Sequence, residues 1–202
     1  MARLFNWDDE PPEEAYSRLT SPERFGVLVD AAAALVAQLL DRFDVRREAA
    51  DARDAGCAGV DVVRADRLVP ADPRAAPLVV EVSAFPGVAL RAGYWFKSGY
   101  PRCGFDACDD DPDELVAQLR DDVAAVVGGF TEELERTPVR RVSGRLPFPA
   151  EEAIAVQRQW LGGRLAESGV LAEDELDQLL RRGPEGVHRW QPWPRRPVDR
   201  PW

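Results

Sequence analysis

Apolar residues recur at three- and four-residue spacing in two long stretches of the chain, which predicts two amphipathic helices. The first helix is expected over roughly residues 22 to 43, after a Ser21-Pro22-Glu23 start that suits a helix N-terminus. The second follows Asp111-Pro112, an aspartate cap before a first-turn proline, and ends at Gly128-Gly129. Both helices should lie on the same face of a sheet.

Shorter β-rich segments lie between the two helices. Residues 78–82 predict a strand, Phe85-Pro86-Gly87 a tight turn, and residues 88–96 the returning strand of an antiparallel hairpin. Residues 60–69 alternate weakly and are also β-rich, and a short strand can be placed at residues 44–48. The hairpin is therefore expected at the centre of the sheet.

The C-terminal third gives weaker patterns. Residues 130–137 are acidic and could form a helix. Residues 139–146 could form a last strand. Residues 150–166 and 171–180 have helical spacing and predict a helical hairpin. The sequence thus predicts an α+β fold: an antiparallel sheet of about four strands, with two long helices on one face. Its expected parts are an N-terminal arm (1–20), the core domain (21–147), a helical hairpin appendage (148–183) and an extended Trp/Pro-rich tail (184–202).

Composition and charge narrow the function. The 202 residues carry a formal net charge of −10 with a pI near 4.7, and a basic field suited to nucleic acid or an anionic membrane is missing. Residues 103–135 alone hold eleven acidic residues and one arginine. The N-terminus lacks the apolar segment of a signal peptide, no segment is long enough to span a bilayer, and three cysteines do not suggest a secreted disulfide framework. We therefore expect a cytoplasmic protein.

An inventory of motifs excludes several chemistries. The single histidine, His188, lies in the tail, and no G-x-S-x-G, P-loop, G-x-G-x-x-G or H-E-x-x-H motif occurs. Hydrolases and metalloenzymes that depend on histidine are therefore nearly excluded, and no cofactor is predicted.

The C-x4-C pair of Cys103 and Cys108 is the most distinctive local feature. The preferred interpretation is two small residues packing a tight loop between strand and helix, with Gly104 supplying a special backbone angle. A zinc site would use these two cysteines but lacks a second ligand pair, and a redox pair lacks the usual C-x-x-C spacing. Aspartates after Phe105 fit helix capping and a solvated face better than an EF-hand, whose glycine and glutamate positions fail.

Candidate binding residues surround this loop. Tyr94, Trp95 and Tyr100 could form an aromatic ligand wall, although aromatic residues at the end of a strand more often pack the core. The candidate binding set is Tyr94, Trp95, Tyr100, Cys103, Asp106, Cys108 and Asp109, with no catalytic residue and no metal ligand except, if any, Cys103 and Cys108. The Trp/Pro-rich tail either docks on a partner or folds back on its own domain, and the second is preferred because exposed tryptophans are a liability.

Five segments resemble a known family: YSRLT with PERF in 16–25, RLVPA with APL in 67–78, FPG at 85–87, PRCGFDACD at 101–109 and WQPWPRR at 190–196. They are similar to an uncharacterised actinobacterial family of unknown function, the domain-of-unknown-function family 6226. The resemblance covers about residues 16–130 and the tail, but not 140–185. The family motif tends to be C-G-C-D-A-C, so this chain has Phe105 where a third cysteine is expected. The resemblance implies no established activity.

The function favoured by the sequence is a non-catalytic cytosolic binding or interaction module with an acidic surface, and its partner is an unidentified protein or small molecule. One alternative is a small-molecule-binding protein or enzyme with a carboxylate and aromatic site near the Cys103–Cys108 loop. A further alternative is a loop stabilised by a metal. A deep pocket with converging carboxylates would distinguish an enzyme from a flat acidic binding surface.

Overall fold

The computed structural model describes residues 11–50, 61–102, 104–137, 154–168, 181 and 183–197. Within these residues the chain forms two antiparallel sheets and two α-helices. The α+β class predicted from the sequence is confirmed.

The first sheet has five strands in sequence order, one more than the sequence suggested. They are β1 (Val45–Ala49), β2 (Val62–Pro70), β3 (Leu78–Ser83), β4 (Val88–Ala92) and β5 (Phe96–Tyr100), each antiparallel to the next. The predicted returning strand at 88–96 ends at Ala92, and residues 96–100, mostly beyond that prediction, form the additional strand β5. Gly93 has φ of +59°, a left-handed conformation that costs glycine little, and it opens a turn between β4 and β5.

Both predicted long helices are present. α1 spans Gly26–Arg42 after a 3₁₀ turn at Pro22–Phe25, and α2 spans Pro112–Val127. The side chain of Asp111 caps α2 by accepting hydrogen bonds from the backbone N–H groups of Asp113 (2.8 Å) and Glu114 (3.4 Å). The predicted start of α2 is therefore confirmed. The predicted start of α1 is four residues too early, and Ser21 makes no capping hydrogen bond because residues 22–25 form the 3₁₀ turn.

The core lies between these helices and one face of the first sheet. Strand alternation sends Leu78, Val80 and Leu90 to this face, where they pack in one cluster with Leu28 and Leu119 of the helices. These five side chains are at most 5% exposed, so the stripe pattern in the helices and the alternation in the strands identify the same core.

The two helices run parallel. Arg24 and Asp110, which precede α1 and α2, interact electrostatically, so the helix starts are close together. At the other end, the backbone N–H of Trp193 donates to the carbonyl of Val127 (2.9 Å) and that of Arg196 to the carbonyl of Arg42 (3.0 Å). Three residues span at most about 11 Å, so the two helix C-termini are neighbours as well.

The second sheet corrects the sequence interpretation. It contains β6 (Thr131–Thr137), β7 (Ile154–Leu161), β8 (Arg164–Ser168) and β9 (Gly186–Arg189) in the order β8-β7-β6-β9. The helical interpretation of 130–137 is wrong, because these residues form β6. The predicted helix over 150–166 is also wrong wherever the chain is described, because residues 154–168 form a hairpin.

The β7–β8 hairpin explains that error. Gly162 and Gly163 have φ of +56° and +77°, as the central pair of a tight hairpin turn requires. The Gly162-Gly163 pair therefore connects two strands and does not lie within a helix. The predicted helix at 171–180 and strand at 139–146 lie outside the described residues, as does the predicted domain boundary at 147, which β6 and β7 flank as paired neighbours.

Candidate ligand-binding groove

A groove of about 350 Å³ runs between α1 and α2 and is closed at one end by the C-terminal tail. We call it the helix–tail groove. Each helix lines it with residues at the spacing i, i+3, i+4 and i+7, which places them on one face of that helix. They are Leu35, Gln38, Leu39 and Arg42 of α1, and Arg120, Val123, Ala124 and Val127 of α2.

The tail forms the closed end of the groove with Pro192, Trp193 and Arg195. Trp193 is 3% exposed, its indole N–H donates to the carbonyl of Ala76 (2.8 Å), and its ring packs edge-on against Phe43 at 5.9 Å. The tail N–H groups also satisfy carbonyls at both helix C-termini, which have no partner within the helix. This wall is therefore a fixed part of the fold.

Three arginines, Arg42, Arg120 and Arg195, line an otherwise largely apolar groove. Among the described residues none of the three forms an ion pair, whereas the similarly exposed Arg74 and Arg164 each contact a carboxylate. The neighbouring acidic residues Asp41 and Asp121 do not provide obvious partners, since successive positions on a helix do not face each other. The groove thus combines an apolar floor with positive charge that the described residues leave uncompensated.

Two of the predicted binding residues, Tyr94 and Trp95, lie in the β4–β5 turn and are held by Glu132 of β6. The buried Glu132 carboxylate accepts hydrogen bonds from the backbone N–H groups of Tyr94, Trp95 and Phe96, each at 2.9 Å. It also accepts from the indole N–H of Trp190 (2.7 Å) and the amide of Gln159 (3.2 Å). This carboxylate joins the two sheets, and its oxygens are fully used within the fold.

The Tyr94 ring belongs to an aromatic cluster with the only histidine. Its centroid lies 4.9 Å from that of His188 and 5.0 Å from that of Trp190, and the last two are 4.2 Å apart. A Cβ on Gly183 would fall 2.8 Å from the Tyr94 Cβ, so that glycine allows the chain to pass closely. The rings contact one another directly and leave no cage between them.

Tyr100 lies elsewhere, on the helix side of β5. Its hydroxyl donates to the Asp122 carboxylate of α2 and accepts from Ser98 Oγ (3.0 Å), while Arg164 donates to the other Asp122 oxygen (2.5 Å). Burial, followed by the bond to Asp122, raises the pKa of the Tyr100 hydroxyl. The network therefore holds a neutral tyrosine as a link between β5, α2 and the β7–β8 hairpin.

Asp106 fastens the N-terminal segment to the loop before α2. Its buried carboxylate accepts from Thr20 Oγ1, the Thr20 N–H and Arg18 Nε, each at 2.7 Å, and its own N–H donates to the carbonyl of Arg18 (2.9 Å). The Thr20 hydroxyl is the main cause that lowers the pKa of Asp106 to about 2, with Arg18 adding to it. An ionised Asp106 with satisfied oxygens is a structural clamp.

Cys108 is disulfide-bonded. The other two cysteines, Cys57 and the predicted site residue Cys103, lie outside the described residues. Gly104 has φ of +77°, which is the special backbone angle expected for a tight loop, and the covalent bond of the Cys108 sulfur adds a contact that the packing interpretation did not include. Asp109 follows in a left-handed conformation (φ +45°), and desolvation raises the pKa of its neighbour Asp110.

The predicted site residues are thus divided among three places: the β4–β5 turn, the β5–α2 interface and the Cys108 loop. Their assignment as a binding set stays a prediction. No group of three histidine, cysteine, aspartate or glutamate residues suited to a metal occurs in the part of the chain that the structure describes. The groove residues were missed because their spacing matches an ordinary core stripe. The signal that could have identified them is an arginine at position 42 and another at 120, each on the apolar face.

Comparison with known proteins identifies the family. The model of a family of unknown function, DUF6226, matches residues 3–197. The chain belongs to this family. The match includes residues 140–185, so the sequence-based resemblance was right about the family and too narrow in extent. No curated protein and no solved structure matches the chain. Among the described helices, none has the length and apolar character needed to cross a membrane.

Membership of DUF6226 carries no assigned function, so the chemistry must come from the geometry. Two of the segments that resembled the family have structural roles in this DUF6226 chain. The YSRLT segment supplies the partners of Asp106. The WQPWPRR segment, which includes Arg195, supplies the tail wall of the groove.

Proposed function

We propose that this protein is a non-catalytic cytosolic binding protein that holds a small organic anion with an apolar body in the helix–tail groove. The observation that carries the proposal is the set of three arginines without described carboxylate partners around an apolar floor, in a chain of net charge −10. Ligand sites in proteins are mostly apolar concavities with a few polar groups that fix orientation.

Three carboxylates with structural roles favour binding over catalysis. Glu132 and Asp106 have their oxygens engaged by neighbouring donors, and Asp122 is held by Tyr100 and Arg164. General acid–base chemistry requires a titratable group within reach of a substrate. The groove itself is lined by arginines, one glutamine and apolar residues, which can bind and orient an anion but offer no such group.

The volume limits the size of the ligand. About 350 Å³ is near the lower end of the range for small-molecule sites, so the ligand is a small amphipathic molecule. The tail is included in the proposal as a permanent wall, because Trp193 is buried and hydrogen-bonded in place.

The test is isothermal titration calorimetry of the full chain with nonanoate, using nonan-1-ol as the uncharged comparison. Ala124→Leu should weaken nonanoate binding by about 1 to 3 kcal/mol, because the added methyl groups extend into the groove from an exposed helical position. The matched control is Ala37→Leu, an exposed alanine of α1 that does not line the groove.

Equal binding of nonan-1-ol and nonanoate would remove the argument from charge. Absence of nonanoate binding, or an equal loss in both leucine variants, would remove the groove as the site.

A further inference from the structure

The three arginines are not grouped at one point of the helix–tail groove. Arg42 is the last residue of α1 and lies at the tail end, where Arg195 also lines the groove. Arg120 lies seven residues before Val127, the last residue of the parallel helix α2. At 1.5 Å per residue, this separation is about 10 Å along the helix axis.

The floor between the two ends is apolar. Leu39, Val123 and Ala124 lie between the level of Arg120 and the level of Arg42, with Gln38 as the polar exception. The groove therefore has positive charge at each end and an apolar middle. A ligand with one charged end would leave one group of arginines without a partner.

We infer that the ligand is an elongated dianion, with two anionic groups about 10 Å apart on an apolar chain. A medium-chain dicarboxylate represents this class. This inference rests on the proposed function and specifies the ligand class of the same site. Arg42 and Arg195 bind one carboxylate at the tail end, and Arg120 binds the other at the open end.

The second carboxylate distinguishes this ligand from a simple fatty acid. Without a cation at the open end, a dicarboxylate binds more weakly than the monocarboxylate of equal length, because a hydrated charge replaces a methyl group beside an apolar surface. With Arg120 in place the order is reversed. The sign of the difference is therefore informative even though exposed ion pairs are individually weak.

The experiment is calorimetric titration of the full chain with nonanedioate, nonanoate and pentanedioate. Nonanedioate should bind about fivefold more tightly than nonanoate, and pentanedioate more weakly than nonanedioate because it is too short to reach both ends. Arg120→Gln should remove the preference for nonanedioate by weakening the binding of that ligand more than the binding of nonanoate, and Arg120→Lys should retain part of the preference. Arg67→Gln, an exposed arginine of β2 that does not line the groove, is the control and should leave the preference unchanged.

If nonanoate binds but nonanedioate is no tighter, the dianion inference is wrong while the proposed function stands. An equal effect of Arg120→Gln on both ligands also overturns it, because Arg120 would then contribute only a general field. If neither ligand binds, the proposed function and this inference fall together.

Discussion

Glu132→Gln tests most directly what holds the two sheets together. The Glu132 side chain is fully buried, and five donors converge on it from the β4–β5 turn, the tail and β7. Glutamine has nearly the same shape, but one of its two terminal atoms is an NH₂ group. That group donates hydrogen bonds, so it cannot accept those that the carboxylate oxygen accepted.

The loss of stability in Glu132→Gln depends on how the five donors are distributed between the two carboxylate oxygens. One carboxylate oxygen accepts from Tyr94 and Trp190, and the other from Trp95, Phe96 and Gln159. In the better orientation the amide nitrogen faces Tyr94 and Trp190, leaving two buried donors unpaired at about 1 to 3 kcal/mol each. Removal of the buried charge offsets part of this loss of stability, because the charge no longer has to be desolvated on folding. The expected net loss is about 3 kcal/mol in the free energy of unfolding.

Urea unfolding followed by tryptophan fluorescence measures this loss. In a chain of this size about 3 kcal/mol corresponds to a fall in Tm of roughly 6 to 12 °C. The control is Glu135→Gln on the same strand, where an exposed carboxylate contacts Arg158 at 2.8 Å and the loss should stay below about 1 kcal/mol. If the two variants differ by less than about 1 kcal/mol, the Glu132 carboxylate does not join the sheets in the way described.

Two further predictions concern the N-terminal clamp and the tail. Asp106 has a folded-state pKa of about 2 against an ordinary 3.8, so its contribution to stability is present above about pH 4 and lost as the pH falls toward 2. Acid unfolding followed by circular dichroism should show this loss in the parent chain. Asp106→Asn should reduce stability at neutral pH and flatten the dependence of stability on pH between about 4 and 2. An acid-unfolding profile that the substitution leaves unchanged would contradict the role of Asp106 as a clamp. Gly129→Ala should destabilise the chain more than Gly163→Ala in thermal unfolding. Both glycines have positive φ (+86° and +77°), but only at Gly129 would a Cβ lie 2.8 Å from the Trp190 carbonyl and 3.0 Å from the Pro192 nitrogen. Equal losses would mean that the backbone angle alone matters and that the tail does not press on this position.

Local patterns predicted the first half of the chain well. The α1 and α2 stripes, the Asp111 cap and the β3–β4 hairpin each depend on residues close in sequence, and all are present. The same reasoning failed at 154–168, where helical spacing coexists with a Gly-Gly pair. The secondary structure of such a segment depends on whether a neighbouring strand is available, and pairing with β6 stabilises the extended form.

The candidate site shows the same division. The sequence by itself determined the fold class, the two helices with their apolar faces and the overall acidity of the chain, because each depends on local spacing or on composition. Only the tertiary structure decided that Arg42, Arg120 and Arg195, separated by up to 153 positions, line one groove. It also placed Glu132 against the β4–β5 turn and divided the predicted binding residues among three separate places. The physical reason is that hydrogen-bond satisfaction and charge pairing depend on which distant segments meet, and no local pattern records those contacts.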